Sequence, residues 1–544
     1  MPPEPAPLDD AASEPAWRWL TGLLAVAVLI LATTAWIGRD RDRIRNPDEA
    51  AYAEQADSLL ETGRFEVGHV RFYHVQHDPG ITRPEDFYPP GNGALLAAAW
   101  SVFGRSDFAS SLPSMAIACL LLPLLAFALA RRLSAPPAFA FACGIGVMMD
   151  PLIRFHAYQG LADLPFSATV LAALVLALRP CAWTAAAAGA ALALGFWCKP
   201  TALLFGPGLA IALVLASAGT WRTRILRMVW FGLAFAAVAA PWLWRNYELF
   251  GDPIYSGNKF LTGTANEPGF DYSQTRKVYW FHGIEVASLG ASASTFGWGA
   301  VIKRFVQHLY EIVTMHGAQA FGLPFVLGAL VLGRKRPVLA VLAVVVTFCV
   351  ALSAVFAVYY RYLMPLFPLV AAVSWTLAGH VAEAIRRSDH PLSTNPLARS
   401  PARIALLLAA IVSIPTATEI TRDLTRGKTD HGKPDDRAAE QAAGWAKDHL
   451  PDDAVIMVHE ALRFRHYSGH RVVNTPWDEP EAIEAVVEHY GVDYAVQTFS
   501  GDGASISNSK FEPYLDSYGE EWTRFAIPGS AAVLWIRDGS EPPR

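Results

Sequence analysis

Residues 19–37 read WLTGLLAVAVLILATTAWI, and residues 46–54 read NPDEAAYAE. The first stretch holds no charge, and its length suits one crossing of a hydrocarbon core roughly 30 Å thick. The second sets Asp48 and Glu49 directly after Pro47, where a helix would start. A signal peptide does not fit the first stretch. The segment before it is acidic rather than basic, and no small-x-small cleavage site follows. Trp19–Ile37 therefore reads as a retained first span that delivers the chain to an acidic helix start. Residues 1–18, rich in Pro and acids, read as a disordered tail.

The rest of the chain repeats that pattern. Of its 544 residues 53% are hydrophobic and 17% charged, against about 25% charged in an ordinary soluble domain. Apolar runs lie near residues 110–130, 137–153, 164–178, 182–198, 201–218, 225–243, 317–333, 337–358, 362–379 and 402–417. The fold class is thus mainly α, a polytopic transmembrane body of about eleven spans over residues 19–417. This excludes a cytosolic enzyme, a secreted disulfide scaffold and a disordered chain. A net charge of −5 without a basic stripe excludes nucleic acid as the main partner. Cys119, Cys143, Cys181, Cys198 and Cys349 all sit in apolar runs and read as small core residues.

Loop charges orient the body. Arg131–Arg132, Arg179, Arg222/Arg224/Arg227, Arg334–Lys335–Arg336 and Arg386/Arg387/Arg399/Arg403 fall on one side, which the positive-inside rule makes cytoplasmic together with the N-terminus. Arg39, Arg41, Arg43 and Arg45 fall on the other side and break the rule. The short apolar stretch Gly93–Phe103 reads as an interfacial or re-entrant helix. The first outer loop then spans 38–107 and the long outer loop 244–316, which is too long for a plain connector. An odd number of spans leaves 418–544 outside. In this tail Asp436–Leu450 and Pro480–Tyr490 are helix-like, and Ala454–His459, Arg471–Asn474 and Asp493–Phe499 strand-like. Trp522–Ile527 and Ala531–Arg537 suggest a hairpin. A small C-terminal α/β domain follows. It holds 13 basic and 23 acidic residues, a net of −10, so the body before it carries 31 and 26, a net of +5.

Unusual residues gather on the outer side. Asp48 and Glu49 suit either helix capping or chemistry. Asp163, in Gly160-Leu161-Ala162-Asp163-Leu164-Pro165, is a lone carboxylate between apolar runs, costly unless paired or solvated. Lys199, in Trp197-Cys198-Lys199-Pro200, suits either a lipid phosphate or snorkelling. Arg361 lies among Tyr359, Tyr360 and Tyr362, and Arg245 follows Trp242 and Trp244; an arginine suits bidentate phosphate recognition. His69, His74, His77 and Asp78, and separately His466 and His470, match no zinc spacing. No metal site is expected and no cofactor is called for, a divalent metal being left open.

The ordered series resembles the GT-C membrane glycosyltransferases, close to the dolichyl-phosphate-mannose–protein mannosyltransferase-like proteins and the lipid A aminoarabinose transferases. The residues that carry it are Pro47-Asp48-Glu49-Ala50-x-Tyr52-Ala53-Glu54, Tyr88-Pro89-Pro90-Gly91, Asp163-Leu164-Pro165, Lys199-Pro200, Pro241-Trp242-x-x-Arg245-Asn246-Tyr247 and Arg361-Tyr362-x-x-Pro365-x-x-Pro368. The likeness covers roughly residues 20–380. One departure stands out: the aminoarabinose transferases carry Glu-Lys before the Pro-Pro, where this chain has Phe87-Tyr88. The resemblance implies an inner-membrane enzyme that moves a sugar, with inversion, from a polyprenyl-phosphate donor to an extracytoplasmic glycan, lipid or protein. It implies Asp48 as the base, Asp163 as a group that orients acceptor or sugar hydroxyls or shares the base role, and Glu49 as a structural or orienting acid. Lys199, Arg361, Arg245 and Tyr362 would bind the donor phosphate. A transporter or lipid flippase, which would place ionisable groups mid-span, and a non-catalytic scaffold are the alternatives.

Overall fold

The computed structural model describes residues 15–41, 44, 46–217, 220–257, 275–284, 298–314, 319–355, 360–388, 395, 400–426, 436–498 and 502–544. Most of the expected disordered tail, Arg43, Arg45, Tyr359, Arg399 and much of the long loop 244–316 lie outside these. The first helix, Ala16–Gly38, starts before Trp19: Pro15 occupies its N-cap, and the Arg18 amide already donates to the Pro15 carbonyl at 3.0 Å.

Among the described residues, six helices are long and apolar enough to cross a membrane: Ala16–Gly38, Asp107–Arg132, Trp221–Phe250, Arg336–Ala354, Arg361–Arg387 and Pro401–Leu424. Pro137–Met148 and Pro151–Ala157, bent by 54°, make a seventh if taken as one span. The shorter apolar helices Asp163–Ala177, Ala182–Cys198, Pro200–Leu215 and Phe321–Leu332 account for the remaining apolar runs. Asp107–Arg132 contains Pro113 and, four residues on, a π turn at Ile117–Leu121. The last apolar helix continues to Arg426, past the expected boundary at Thr418. Thr418 and Thr421 return their hydroxyls to carbonyls four residues back, at 2.8 Å each, which satisfies these polar groups within the helix.

The expected strands and helices of the C-terminal part are present, in a mixed sheet of six strands. Its members are β2 (His69–Val70), β4 (Val455–Val458), β5 (Arg471–Asn474), β6 (Tyr494–Thr498), β7 (Trp522–Ala526) and β8 (Ala532–Arg537), ordered β2-β5-β4-β6-β8-β7. The first four run parallel and β7–β8 form the antiparallel hairpin. Every residue of β4 is buried, with Val455 and Met457 in one core and Ile456 and Val458 in the other. That is what the two-residue period does when both faces are covered. Two helices went unforeseen, Ala461–Ser468 and Asp502–Tyr518. So did the origin of β2, which belongs to the first loop and completes a sheet otherwise formed by the C-terminal part. The minor pair β1 (Glu66–Val67) and β3 (Arg83–Pro84) closes that loop.

Candidate active site

Helix Pro47–Thr62 sends its three motif carboxylates to three places. Asn46 is its N-cap, accepting the Asp48 amide at 2.9 Å, so the Asp48 side chain is not spent on capping. Asp48 Oδ2 instead receives Arg361 Nη2 at 2.5 Å, and Oδ1 receives the Tyr88 hydroxyl at 2.6 Å and Arg71 Nη1 at 3.4 Å. Burial works to raise this carboxyl, but the Arg361 and Arg71 guanidiniums and the Tyr88 bond outweigh it and hold Asp48 well below the usual carboxylate range.

Glu49 is fully buried and does not line the cavity described below. Its Oε2 meets Arg41 Nη2 at 2.6 Å and its Oε1 accepts the Gly160 amide at 2.6 Å. Arg41, one of the arginines that broke the charge rule, is thus a buried structural partner that also donates to the Tyr158 carbonyl. Glu54, on the third side, accepts from the Gly68 amide and His69 Nδ1 at 2.6 Å and from Arg465 Nε at 3.1 Å. Against its burial, these partners lower its pKa to about 2.

Gly160 begins the turn that presents Asp163. Asn92 Nδ2 donates to the Gly160 carbonyl at 2.7 Å, which ties that turn to helix Pro90–Phe103. Asp163 lies in the first turn of Asp163–Ala177, and it is paired, not capping: Lys199 Nζ reaches Oδ1 at 2.5 Å. Arg361 Nε stands 3.9 Å from the same oxygen, so one guanidinium faces both Asp48 and Asp163. Lys199 terminates Ala182–Cys198 in extended geometry; it is buried, so it does not snorkel, and its ammonium lies 5.2 Å from the Tyr362 ring centroid. Gly91 allows this assembly to close. A Cβ there would sit 2.7 Å from the Trp197 carbonyl oxygen, so no larger residue fits between the Pro89-Pro90 turn and the strand-like exit that carries Lys199.

Lys199, Arg361, Tyr362 and Tyr88 border a cavity of about 290 Å³, and Asp48 and Asp163 lie behind them, outside its lining. Lys199, Arg361 and Asp86 supply its charged part, with Tyr52, Tyr88, Tyr362 and smaller polar groups beside them; Phe87, Phe196, Leu203, Leu204 and Trp242 make most of the rest apolar. Arg245 is not among its lining residues. Its guanidinium lies 4.5 Å over Trp242 and donates to the Phe65 carbonyl at 3.3 Å, while the neighbouring Asn246 does line the cavity. The structure thus joins Asp48, Asp163, Lys199 and Arg361 through ion pairs, with Tyr362 beside them; Lys199, Arg361 and Tyr362 line the cavity, and the two aspartates, Glu49 and Arg245 do not.

Tyr88 and Arg71 were not foreseen as site residues. Tyr88 stood inside a quoted motif and could have been found there. Arg71 carries no local signal; it reaches Asp48 because β2, the two residues before it, adds to the C-terminal sheet. The histidines have protein partners: besides His69, His466 Nε2 is 3.1 Å from Asp107 Oδ1, and His470 Nε2 donates to the Ala446 carbonyl at 3.1 Å. His74 and His77 are pushed down to about 4 and about 3, mainly by burial. Among the described residues, no three His, Cys, Asp or Glu side chains are placed to hold a metal ion.

No protein-family model matches the chain, and no curated protein does. Solved structures do. ArnT from Cupriavidus metallidurans bound to undecaprenyl phosphate superposes with a TM-score of 0.62 at 14% identity, over 97% of this chain and 100% of that one. The apo ArnT structure gives 0.58 at 14%, over 97% and 99%. EmbB, an arabinosyltransferase of Mycobacterium smegmatis, gives 0.43 at 13%, over 79% of this chain and 43% of its own. The two ArnT structures therefore place the chain in the GT-C fold, as the motif series implied.

Proposed function

We propose that the chain is an integral-membrane glycosyltransferase that takes a sugar from a polyprenyl-phosphate donor and transfers it, with inversion, to a glycan, lipid or protein acceptor. The observation that carries this reading is the pair of carboxylates, Asp48 and Asp163, tied by Arg361 and Lys199 at the border of a mostly apolar cavity. Such a cavity suits a lipid that ends in one anionic group. The prenyl chain lies along Phe196, Leu203, Leu204 and Trp242, and the phosphate meets Lys199 and Arg361, with Tyr362 beside them. One ArnT structure of the same fold holds undecaprenyl phosphate. Positive loop charges put the N-terminus in the cytoplasm and the site and C-terminal domain on the extracytoplasmic face of the plasma membrane.

The chemistry follows from what each group can do. The acceptor nucleophile attacks the anomeric carbon from the face opposite the phosphate. Its proton goes to Asp48, the C–O bond to the phosphate breaks, and polyprenyl phosphate leaves with the bonding pair. Arg361 and Lys199 stabilise the charge that grows on the leaving oxygen. Asp48 is a weak base while two guanidiniums face it; a donor phosphate that draws Arg361 toward itself restores its basicity, so base strength follows donor binding. Asp163 keeps Lys199 charged and aimed. Glu49 acts through packing, by fixing Gly160 against the Asp48 helix.

A transporter would carry ionisable groups along its path. Here they are gathered where helix Pro47–Thr62, the start of Asp163–Ala177 and the end of Ala182–Cys198 meet. The test uses purified protein in lipid nanodiscs with polyprenyl phosphate, the product common to all such donors, and a panel of synthetic polyprenyl-phosphate sugars. Native mass spectrometry should show the lipid bound, and Leu204→Trp, which fills the cavity, should abolish binding. A wild-type protein that neither binds polyprenyl phosphate nor consumes any donor refutes the reading.

A further inference from the structure

The C-terminal domain does more than hang from the last helix. Three consecutive residues of Ala461–Ser468 hold three different parts of the body. Arg465 meets Glu54 at 3.1 Å, His466 meets Asp107 at 3.1 Å, and the Tyr467 hydroxyl accepts the Ile44 amide at 2.6 Å. The Asp48 helix is therefore held on both sides of its motif, by Tyr467 through the preceding linker and by Arg465 through Glu54. The sheet reaches closer still. His69 and Val70 pair with Val472 and Val473, and in continuation of that register Asn474 Nδ2 donates to the Arg71 carbonyl at 3.2 Å. The Tyr73 hydroxyl donates to the Asn474 carbonyl, and Asn474 is buried. Arg71, so fixed, projects its guanidinium onto Asp48 Oδ1 and the Tyr88 hydroxyl.

We infer that the C-terminal domain is a working part of the site, and that Asn474 is a positioning residue which holds Arg71 against Asp48. This rests on the proposed glycosyl transfer. Asn474 touches neither Asp48 nor the cavity; it acts only through the backbone of Arg71. The geometry requires it because β2 is only two residues long. A strand so short has two register pairs to fix its position, and a side-chain bond at the next position keeps Arg71 from swinging away. Arg71 then shares Asp48 Oδ1 with Tyr88 and leaves Oδ2 to Arg361, which gives the carboxylate one orientation. The charged and titratable groups around Asp48 are Arg71 and Tyr88 from the first loop, Tyr52 on its own helix, Arg361, Asp163 and Lys199. Among these described groups, Arg71 is the one whose backbone hydrogen-bonds to the C-terminal sheet.

The experiment is a double-mutant cycle on the full-length protein in nanodiscs, with steady-state transfer from whichever donor the wild type uses. Asn474→Ala should lower kcat about fivefold to tenfold and leave the donor KM unchanged. Asn474→Leu, which keeps nearly the same size and loses the amide, should do the same if the alanine variant folds poorly. Arg71→Met should lower kcat at least as much. In the Arg71→Met background, either change at Asn474 should cost nothing further, because Asn474 has no other route to the reaction. A merely structural role would give the same loss in both backgrounds, and that result, or wild-type kcat in both single variants, overturns the inference. An inactive wild type would instead sink the glycosyltransferase reading itself.

Discussion

Replacing Asp48 by Asn tests the site at its centre. The side chain keeps its shape, and the helix keeps its Asn46 cap. What goes is the charge that three donors address: Arg361 at 2.5 Å, the Tyr88 hydroxyl at 2.6 Å and Arg71 at 3.4 Å. Loss of a general base costs about 10²–10⁴ in rate. At about 1.36 kcal/mol per decade this is roughly 2.7–5.4 kcal/mol on the barrier. The donor KM should move the other way or not at all. Arg361 is released from Asp48 while still 3.9 Å from Asp163, so it stays in the site and is more available to phosphate. A fall in kcat without a rise in KM marks an interaction made in the transition state. The pH profile follows from the same contacts. Asp48 is held well below the usual carboxylate range, so in the free enzyme it is ionised from neutral pH downward well into acid. Activity that depends on it is full above that pKa and is lost only as pH falls through it. The wild type should therefore show no acid limb in kcat/KM between pH 5 and 8 that Asp48→Asn removes. The assay is release of polyprenyl phosphate from a synthetic donor in nanodiscs, followed by mass spectrometry. Asp48→Asn with kcat within tenfold of wild type would refute the base assignment.

Two further outcomes follow from the buried ion pairs. Lys199→Met strands Asp163, whose side chain is only 2% exposed, and should destabilise the protein by about 3–5 kcal/mol, whereas Lys199→Met with Asp163→Asn should recover most of that loss; thermal unfolding in detergent checks this, and equal damage in both refutes it. Glu54 has a folded pKa of about 2 against an ordinary value of 4.5, so its contribution to stability is complete above about 4.5 and lost as pH falls toward 2; unfolding temperatures between pH 6 and 3 should drop more steeply in the wild type than in Glu54→Gln.

How much of this could be read from sequence divides by range. The apolar runs were plain because a span needs a long run of apolar residues; among the described residues each falls mainly on helix, but only six helices, or seven with the bent pair, are long enough to cross. The strands and helices of the C-terminal part were plain for a similar reason, since their periods of two and 3.6 are local. Of the site, Asp48, Asp163, Lys199, Arg361 and Tyr362 stood out as polar residues where apolar ones were expected, and they do meet. What pattern could not give was partners. In one helical segment, Asp48 reaches Arg361 across 313 residues, Glu49 reaches Gly160 across 111, and Glu54 reaches Arg465 across 411. Nothing in NPDEAAYAE says which partner each acid meets; the helix period puts 48, 49 and 54 on different faces, but each face takes its meaning from what it meets.

The same limit hid β2. A two-residue strand has no period, and Arg71 next to it looks like any loop arginine. Yet β2 turns the C-terminal domain from an appendage into part of the frame around Asp48. Its absence from local pattern has a physical cause: β2 is stable only as an edge strand on β5, which the chain completes some 400 residues later. The first loop therefore cannot take its working shape until the C-terminal sheet has formed. A chain lacking the C-terminal sheet would keep Asp48, Asp163, Lys199 and Arg361 in sequence while losing the strand that brings Arg71 to the carboxylate.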